Sequence, residues 1–211
     1  SAYNGAGLTI SNTTIAGNSA TQRAAVRVWN TDAEIRNATI TQNFAFLSAG
    51  ISVADGGVYS DVLLVNSIVA DNTDDLRNCI YGTLNAASSN NLIGDGTTAG
   101  LVNGENGNIV GTADAPLDPQ IKGVFSLTGI DHYVPFASSR AVDAGLNAGV
   151  PGATDQLGNN RIANGTADIG AVEMQDSGRG ELCVDLNASG ADDGSSWTDA
   201  YPSLQDALAQ A

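Results

Sequence analysis

An all-β solenoid is the fold that this sequence predicts, on three observations. A nine-residue pattern recurs as Ile10-Ser11-Asn12-Thr13-Thr14-Ile15-Ala16-Gly17-Asn18, Ile35-Arg36-Asn37-Ala38-Thr39-Ile40-Thr41-Gln42-Asn43 and Leu64-Val65-Asn66-Ser67-Ile68-Val69-Ala70-Asp71-Asn72. Its steps are 25 and then 29 residues, and Ala25-Val26-Arg27-Val28 returns as Gly50-Ile51-Ser52-Val53 at the shorter step. Two short strand-like tracts per period, separated by Gly, Asn and Asp, describe one coil of a stacked repeat. Composition agrees: 5% aromatic, 15% charged and 25 glycines suit thin apolar slices shared between coils better than one thick core. The 42% hydrophobic content, rich in β-branched residues, argues against disorder.

The repeats are cleanest from Tyr3 to about Asp75. Alternation in Leu8-Thr9-Ile10 and Val26-Arg27-Val28 sends one set of side chains inward and the other outward. Stacked coils lie roughly 4.8 Å apart, so Ile10, Ile35 and Leu64 should form one internal column, and Ile15, Ile40 and Val69 another. Asn12, Asn37 and Asn66 mark one turn of the path, and Asn18, Asn43 and Asn72 a second. Asparagine tolerates left-handed backbone angles and can bond along a stack, so both sets are expected as ladders.

From Leu76 to Gly111 the period loosens, leaving Asn91-Leu92-Ile93-Gly94 and Asn108-Ile109-Val110-Gly111 as abbreviated tracts. Asp114-Ala115-Pro116-Leu117-Asp118-Pro119 leads the chain off the stack, because proline donates no ladder hydrogen bond. The organisation is coils over 1–112 and a loop-rich closing segment over 113–176. Residues 177–211 read as a linker, a strand and an amphipathic helix. In that helix Ser203 is the cap, and Leu204, Ala207, Leu208 and Ala211 share a face.

Net charge is −15, from 23 acids against 8 bases, and Lys122 is the sole lysine. No basic patch exists to hold a phosphate backbone, which excludes nucleic acid as a partner. No run approaches the roughly 18 apolar residues of a membrane span. Cys79 and Cys183 read either as one disulfide in an oxidising compartment or as two small buried hydrophobes. No cofactor is required. Asp71, Asp74 and Asp75, and separately Asp192 and Asp193, offer oxygen ligands for Ca²⁺, although neither cluster follows EF-hand spacing.

No catalytic residue is assigned. His132 is the only histidine and has no serine or cysteine partner by spacing. No glycine-rich segment has P-loop or dinucleotide spacing. Glycoside hydrolysis needs two facing carboxylates about 5–10 Å apart, whereas Asp71, Asp74 and Asp75 share one loop. Arg140 with Asp143, and Arg161 with Asp155, read as ion pairs within the closing segment. Trp29, Trp197 and Tyr59 would stack on sugars if exposed.

Three tracts close the first 174 residues: Ala141-Val142-Asp143-Ala144-Gly145, Asp155-Gln156-Leu157-Gly158-Asn159-Asn160-Arg161 and Asp168-Ile169-Gly170-Ala171-Val172-Glu173. Their order resembles the closing segment of secreted bacterial β-helix proteins that carry a choice-of-anchor Q domain. Family versions read Pro-Ala-Ile-Asp-Ala-Gly, then Asp-x-x-Gly-x-x-Arg, then Asp-Ile-Gly-Ala-x-Glu; here Ser139-Arg140 stands where Ser-Pro is frequent. The tail, from Cys183-Val184-Asp185-Leu186 through Trp197 to Ser203-Leu204-Gln205-Asp206-Ala207-Leu208, resembles instead the beginning of pectate-lyase-like β-helices, where a strand and a short helix cover the first coil.

The resemblance implies a right-handed parallel β-helix with a short terminal capping α-helix, placed outside the cell or on a bacterial surface. A starting motif stands after a finishing motif, so the tail either belongs to or completes a neighbouring unit, a second copy or an adjacent tandem unit, or folds back as an ordinary cap on its own chain; the first is the leading expectation. Leu182, Val184, Trp197, Tyr201, Leu204 and Leu208 are the expected assembly interface. A structural or adhesive filament is the leading expectation. A polysaccharide lyase or carbohydrate-binding module, with cell-surface polysaccharide as partner, is the alternative.

Overall fold

Each return of the nine-residue pattern lays a strand beside its predecessor, parallel and in register. The computed structural model describes residues 2–3, 7–23, 25–54, 60–73, 79–124, 132–175, 183–191 and 197–210. A first pass holds β1 (Ala2–Tyr3), β2 (Leu8–Ala16) and β3 (Ser19–Ala20). The second holds β4 (Val26–Trp29), β5 (Ala33–Thr41) and β6 (Phe44–Ala45). The third holds β7 (Ile51–Ala54), β8 (Val62–Val65) and β9 (Ile68–Ala70). Shorter strands β10 (Ile80–Tyr81), β11 (Leu92–Ile93) and β12 (Ile109–Val110) continue the series.

β2 pairs with β5 so that Ile10 meets Ile35 and Ile15 meets Ile40. β5 pairs onward with β8 and β9, carrying those columns to Leu64 and Val69. Val69 then meets Ile93, and Ile93 meets Val110. A second parallel sheet runs β1-β4-β7-β10, and a smaller one joins β3 to β6. The chain is all-β with parallel sheets, and α1 (Leu204–Gln210) is the single α-helix among the described residues.

The corners explain why asparagine recurs. Asn12, Asn37, Asn66 and Asn90 have φ of 46°, 48°, 50° and 52°, the left-handed region that asparagine enters at low cost. Gly17, Gln42 and Asp71 make the next corner, with φ of 68°, 53° and 55°. Between corners, alternate side chains fill an inner core in which Ile35, Ile40, Leu64, Val69 and Ile93 are fully buried. Each contributes about 2–3 kcal/mol by leaving water.

One asparagine set forms the expected ladder. Oδ1 of Asn43 accepts from the backbone N–H and side-chain Nδ2 of Asn18 at 3.0 and 2.9 Å. Asn72 does the same for Asn43 at 3.1 and 2.9 Å. A second ladder, not expected, passes from Ser67 to Asn91 and Asn108. The expectation fails for Asn12, Asn37 and Asn66, whose amides point outward from the corner. Nδ2 of Asn12 donates to Thr154 O at 2.8 Å, and Asn66 exchanges two hydrogen bonds with the backbone of Leu146. Asn90 holds Ala144 O at 3.0 Å. These corners grip the closing segment along the flank of the stack.

A second, smaller core lies under that segment, where Ile68, Ala70 and Leu92 pack against Ala141 and Ile169. Gly170, at φ 115°, comes so close that a Cβ would sit 3.0 Å from both Ile68 Cδ1 and Thr39 Oγ1. An antiparallel pair, β13 (Ile121–Val124) with β14 (His132–Pro135), lies early in the closing segment, ahead of its three Asp- and Gly-rich tracts. The sequence did not suggest it, since a proline ends β14 and neither Ile-Lys-Gly-Val nor His-Tyr-Val-Pro alternates polar with apolar residues, although β14 alternates in burial.

The chain divides into two compact units, Ser1–Met174 and Gln175–Ala211. In the second, Val184 bridges Tyr201 in parallel, with the Tyr201 N–H donating to Cys183 O at 2.8 Å. Ser203 caps α1: Asp206 N–H donates to its Oγ at 3.2 Å, and its hydroxyl donates to the Asp206 carboxylate at 2.6 Å.

Candidate functional site

Two surfaces answer to the assembly expectation. The first is the outer edge of β2, which has β5 as its only strand partner among the described residues. Leu8, Ile10 and Ile15 are half-buried there, although their counterparts in the second pass are fully or almost fully buried. The second is the 175–211 unit. Leu186, Trp197 and Leu204 expose 80%, 71% and 57% of their surface, while Ala200 and Ala207 form its inside. Val184 and Tyr201 are half-buried in their mutual bridge. Leu182 and the side chain of Leu208 lie outside the described residues.

A third feature escaped sequence reasoning. Asp32 and Asp61 stand immediately before Ala33 and Val62, which pair, so the two aspartates are neighbours in one outward column roughly 4.8 Å apart. With Glu34, Leu63 and Asn85 they line a shallow groove of about 370 Å³. Asn85 Nδ2 donates to both Asp61 oxygens at 2.8 Å, and Glu34 is held by Arg36. The carboxylates project side by side from one face rather than across a cleft, so they do not match a glycoside-hydrolysis pair. The signal was there: Asp32 and Asp61 repeat at the 29-residue step.

The closing segment is knit by buried charge. Arg161, 1% exposed, lies 3.7 Å from Glu173 Oε2 and donates to Asp168 O. The Asn37 amide, oriented by its hydrogen-bond network, puts Oδ1 at 2.7 Å from Nη2 and 3.1 Å from Nε of Arg161. The ion pair between Arg161 and Asp155 expected from sequence does not form. The Asp155 oxygens accept instead from the N–H groups of Leu157, Asn159 and Glu173. Arg140 and Asp143 are both exposed and form no ion pair among the described residues. Burial pushes Arg161 down against the pull of Glu173, Asp168 and Asp155, yet a guanidinium stays charged. Burial likewise pushes the Asp168 and Glu173 carboxyls up.

Asp71 occupies its corner beside a separate cavity, whereas Asp74, Asp75, Asp192, Asp193 and Tyr59 lie outside the described residues. Among the described residues no three His, Cys, Asp or Glu side chains converge on one metal position. Cys79 is a buried free thiol in the 1–174 unit, and Cys183 is half-buried in the other. No helix among the described residues is long and apolar enough to cross a membrane. No protein-family model, curated protein or solved structure matches this chain.

Proposed function

We propose that this chain is a unit of an extracellular, right-handed parallel β-helix, similar to choice-of-anchor Q proteins, that assembles head to tail into a structural or adhesive filament. The segment 183–210 of one unit covers the first-pass edge of the next, which is a second copy when the chain stands alone. The supporting observation is the β2 edge: a nine-residue strand with no partner on one side among the described residues and a half-buried apolar column behind it. Such an edge is a template for another chain. The Val184–Tyr201 strand pair offers backbone to that edge, and Trp197, Leu186 and Leu204 offer apolar cover. A heterologous contact that does not close gives an open filament.

Deletion of 183–211 tests the reading by sedimentation velocity and negative-stain electron microscopy. The full chain should form linear oligomers that grow with concentration, and the deleted chain should remain monomeric with its β circular dichroism intact. Oligomers that persist after deletion, or a full chain monomeric at all concentrations, would contradict it. The alternative is a carbohydrate-binding module, for which the half-buried Trp29 and Tyr81 rings are the candidate stacking surfaces, although Arg27 lies 4.3 Å over the first and Arg23 6.0 Å over the second. Screening acidic polysaccharides with and without Ca²⁺ separates the two, and new ultraviolet absorbance would mark eliminative cleavage.

A further inference from the structure

Charge is unevenly placed along this chain. Residues 183–211 hold five aspartates and no base. Among the described bases, Arg161 is buried and Arg36 is held by Glu34. Arg23 and Arg27 are half-buried and form no ion pair among the described residues. The two meet at Ser52. Arg27 lies opposite Ser52 in the register of β4 with β7, and Ser52 lies opposite Tyr81 of β10. Nε of Arg23 donates to Ser52 Oγ at 2.9 Å, and its guanidinium stands 6.0 Å over the Tyr81 ring. The Arg27 guanidinium stands 4.3 Å over Trp29.

Strand alternation puts these groups on the outer face of the sheet, since Val28, Ile51 and Ile80 between them face the core. The ring contacts and the Ser52 bond hold both guanidinium groups in place. Neighbouring cations repel, and an incoming anion relieves that repulsion. A guanidinium so held offers its remaining N–H donors as a fork that fits a carboxylate.

The patch adjoins the open end of the stack. β1 pairs only with Val28 and Trp29, so Val26 and Arg27 have no strand neighbour on that side among the described residues. The other flank of this end is acidic, with Asp32, Glu34 and Asp61 beside Leu8 and Thr9 of β2. An acidic partner that meets this end is repelled by one flank and attracted by the other.

We propose that Arg23 and Arg27 receive the aspartates of the 183–211 segment of a second copy. The contact rests on the assembly reading and adds to it: charge decides which way round the arriving segment lies on the first-pass end. Asp206 is exposed and Asp185 and Asp199 are half-buried, and these three are the described aspartates of that segment.

Sedimentation velocity of the full chain over a concentration series tests it, with R23Q/R27Q set against K122Q/R140Q. Lys122 and Arg140 are exposed, and each double variant removes two positive charges, so general repulsion between copies rises equally. R23Q/R27Q should weaken self-association about ten-fold or more beyond the control. That gap should narrow as NaCl rises from about 0.02 to about 0.5 M. D185N/D199N/D206N should also weaken association, although general repulsion alone would then strengthen it. This second arm decides if R23Q/R27Q fails to fold. Equal association of R23Q/R27Q and the control, or tighter association of the neutralised tail, overturns the proposal and leaves the assembly reading standing. A full chain that stays monomeric at every concentration and salt overturns both. Polygalacturonate binding that R23Q/R27Q abolishes, with self-association unchanged, overturns the proposal in favour of the carbohydrate reading.

Discussion

Ile10 and Ile35 hold the same place in the repeat, one pass apart, yet Ile35 is fully buried and Ile10 only half. β5 is flanked by β2 on one side and by β8 and β9 on the other, whereas β2 has β5 alone among the described residues. The asparagine ladder shows the same contrast. Asn43 is bonded in both directions, and Asn18 is exposed at the ladder's end. Position in the repeat decides which way a side chain points. The neighbouring pass decides how much that is worth, so identical motifs differ in energy by their place in the stack.

Substitutions at matched positions sharpen this contrast. The largest effect is expected where the closing segment meets the second pass. Arg161→Met leaves Asp168 and Glu173 buried without their cation and strips Asn37 of its partner, at a cost of about 3–5 kcal/mol in urea denaturation. The first-pass anchor, Asn12 to Thr154, lies at the edge of the stack, and Asn12→Gly, which keeps the left-handed corner, should cost less than about 1 kcal/mol. Next come the apolar columns: Ile35→Ala should cost about 3–4 kcal/mol and Ile10→Ala about 1–2 kcal/mol in the monomer. Equal costs would erase the distinction between the passes. Asn43→Ala should cost about 2–3 kcal/mol by orphaning the Asn18 N–H and the Ile15 and Thr41 carbonyls, against about 0.5–1 kcal/mol for Asn18→Ala.

The smallest effect is the response to pH. Because Asp168 and Glu173 titrate above their ordinary values of 3.8 and 4.5, the native state binds more protons than the unfolded chain as acid is added. Their contribution to stability is therefore complete below the ordinary carboxylate range and is lost as pH rises through their folded values. Calorimetry should find Tm rising modestly from pH 7 to pH 5. Relief of repulsion within a chain of net charge −15 acts in the same direction. Asp168→Asn should flatten the rise.

Much of the strand order was legible because alternation and a fixed step act locally: the columns through Ile35 and Ile40 follow from spacing alone. The divergent asparagine sets were not. A corner asparagine and a ladder asparagine share one backbone preference, and what the corner amide meets lies 142 residues away for Asn12 and 80 for Asn66. Arg161 was legible as a paired group, but its partner was not. Asp155 is consumed by backbone N–H groups, which leaves Glu173 to face the guanidinium.

Hydrogen exchange of the β2 amides, followed against chain concentration, tests the central claim most directly. The account predicts that the N–H groups of Leu8–Ala16 exchange faster than those of Ala33–Thr41 in dilute solution, slow as concentration rises, and stay fast when 183–211 is deleted. Exchange in β2 as slow as in β5 at every concentration, with or without the tail, would contradict it.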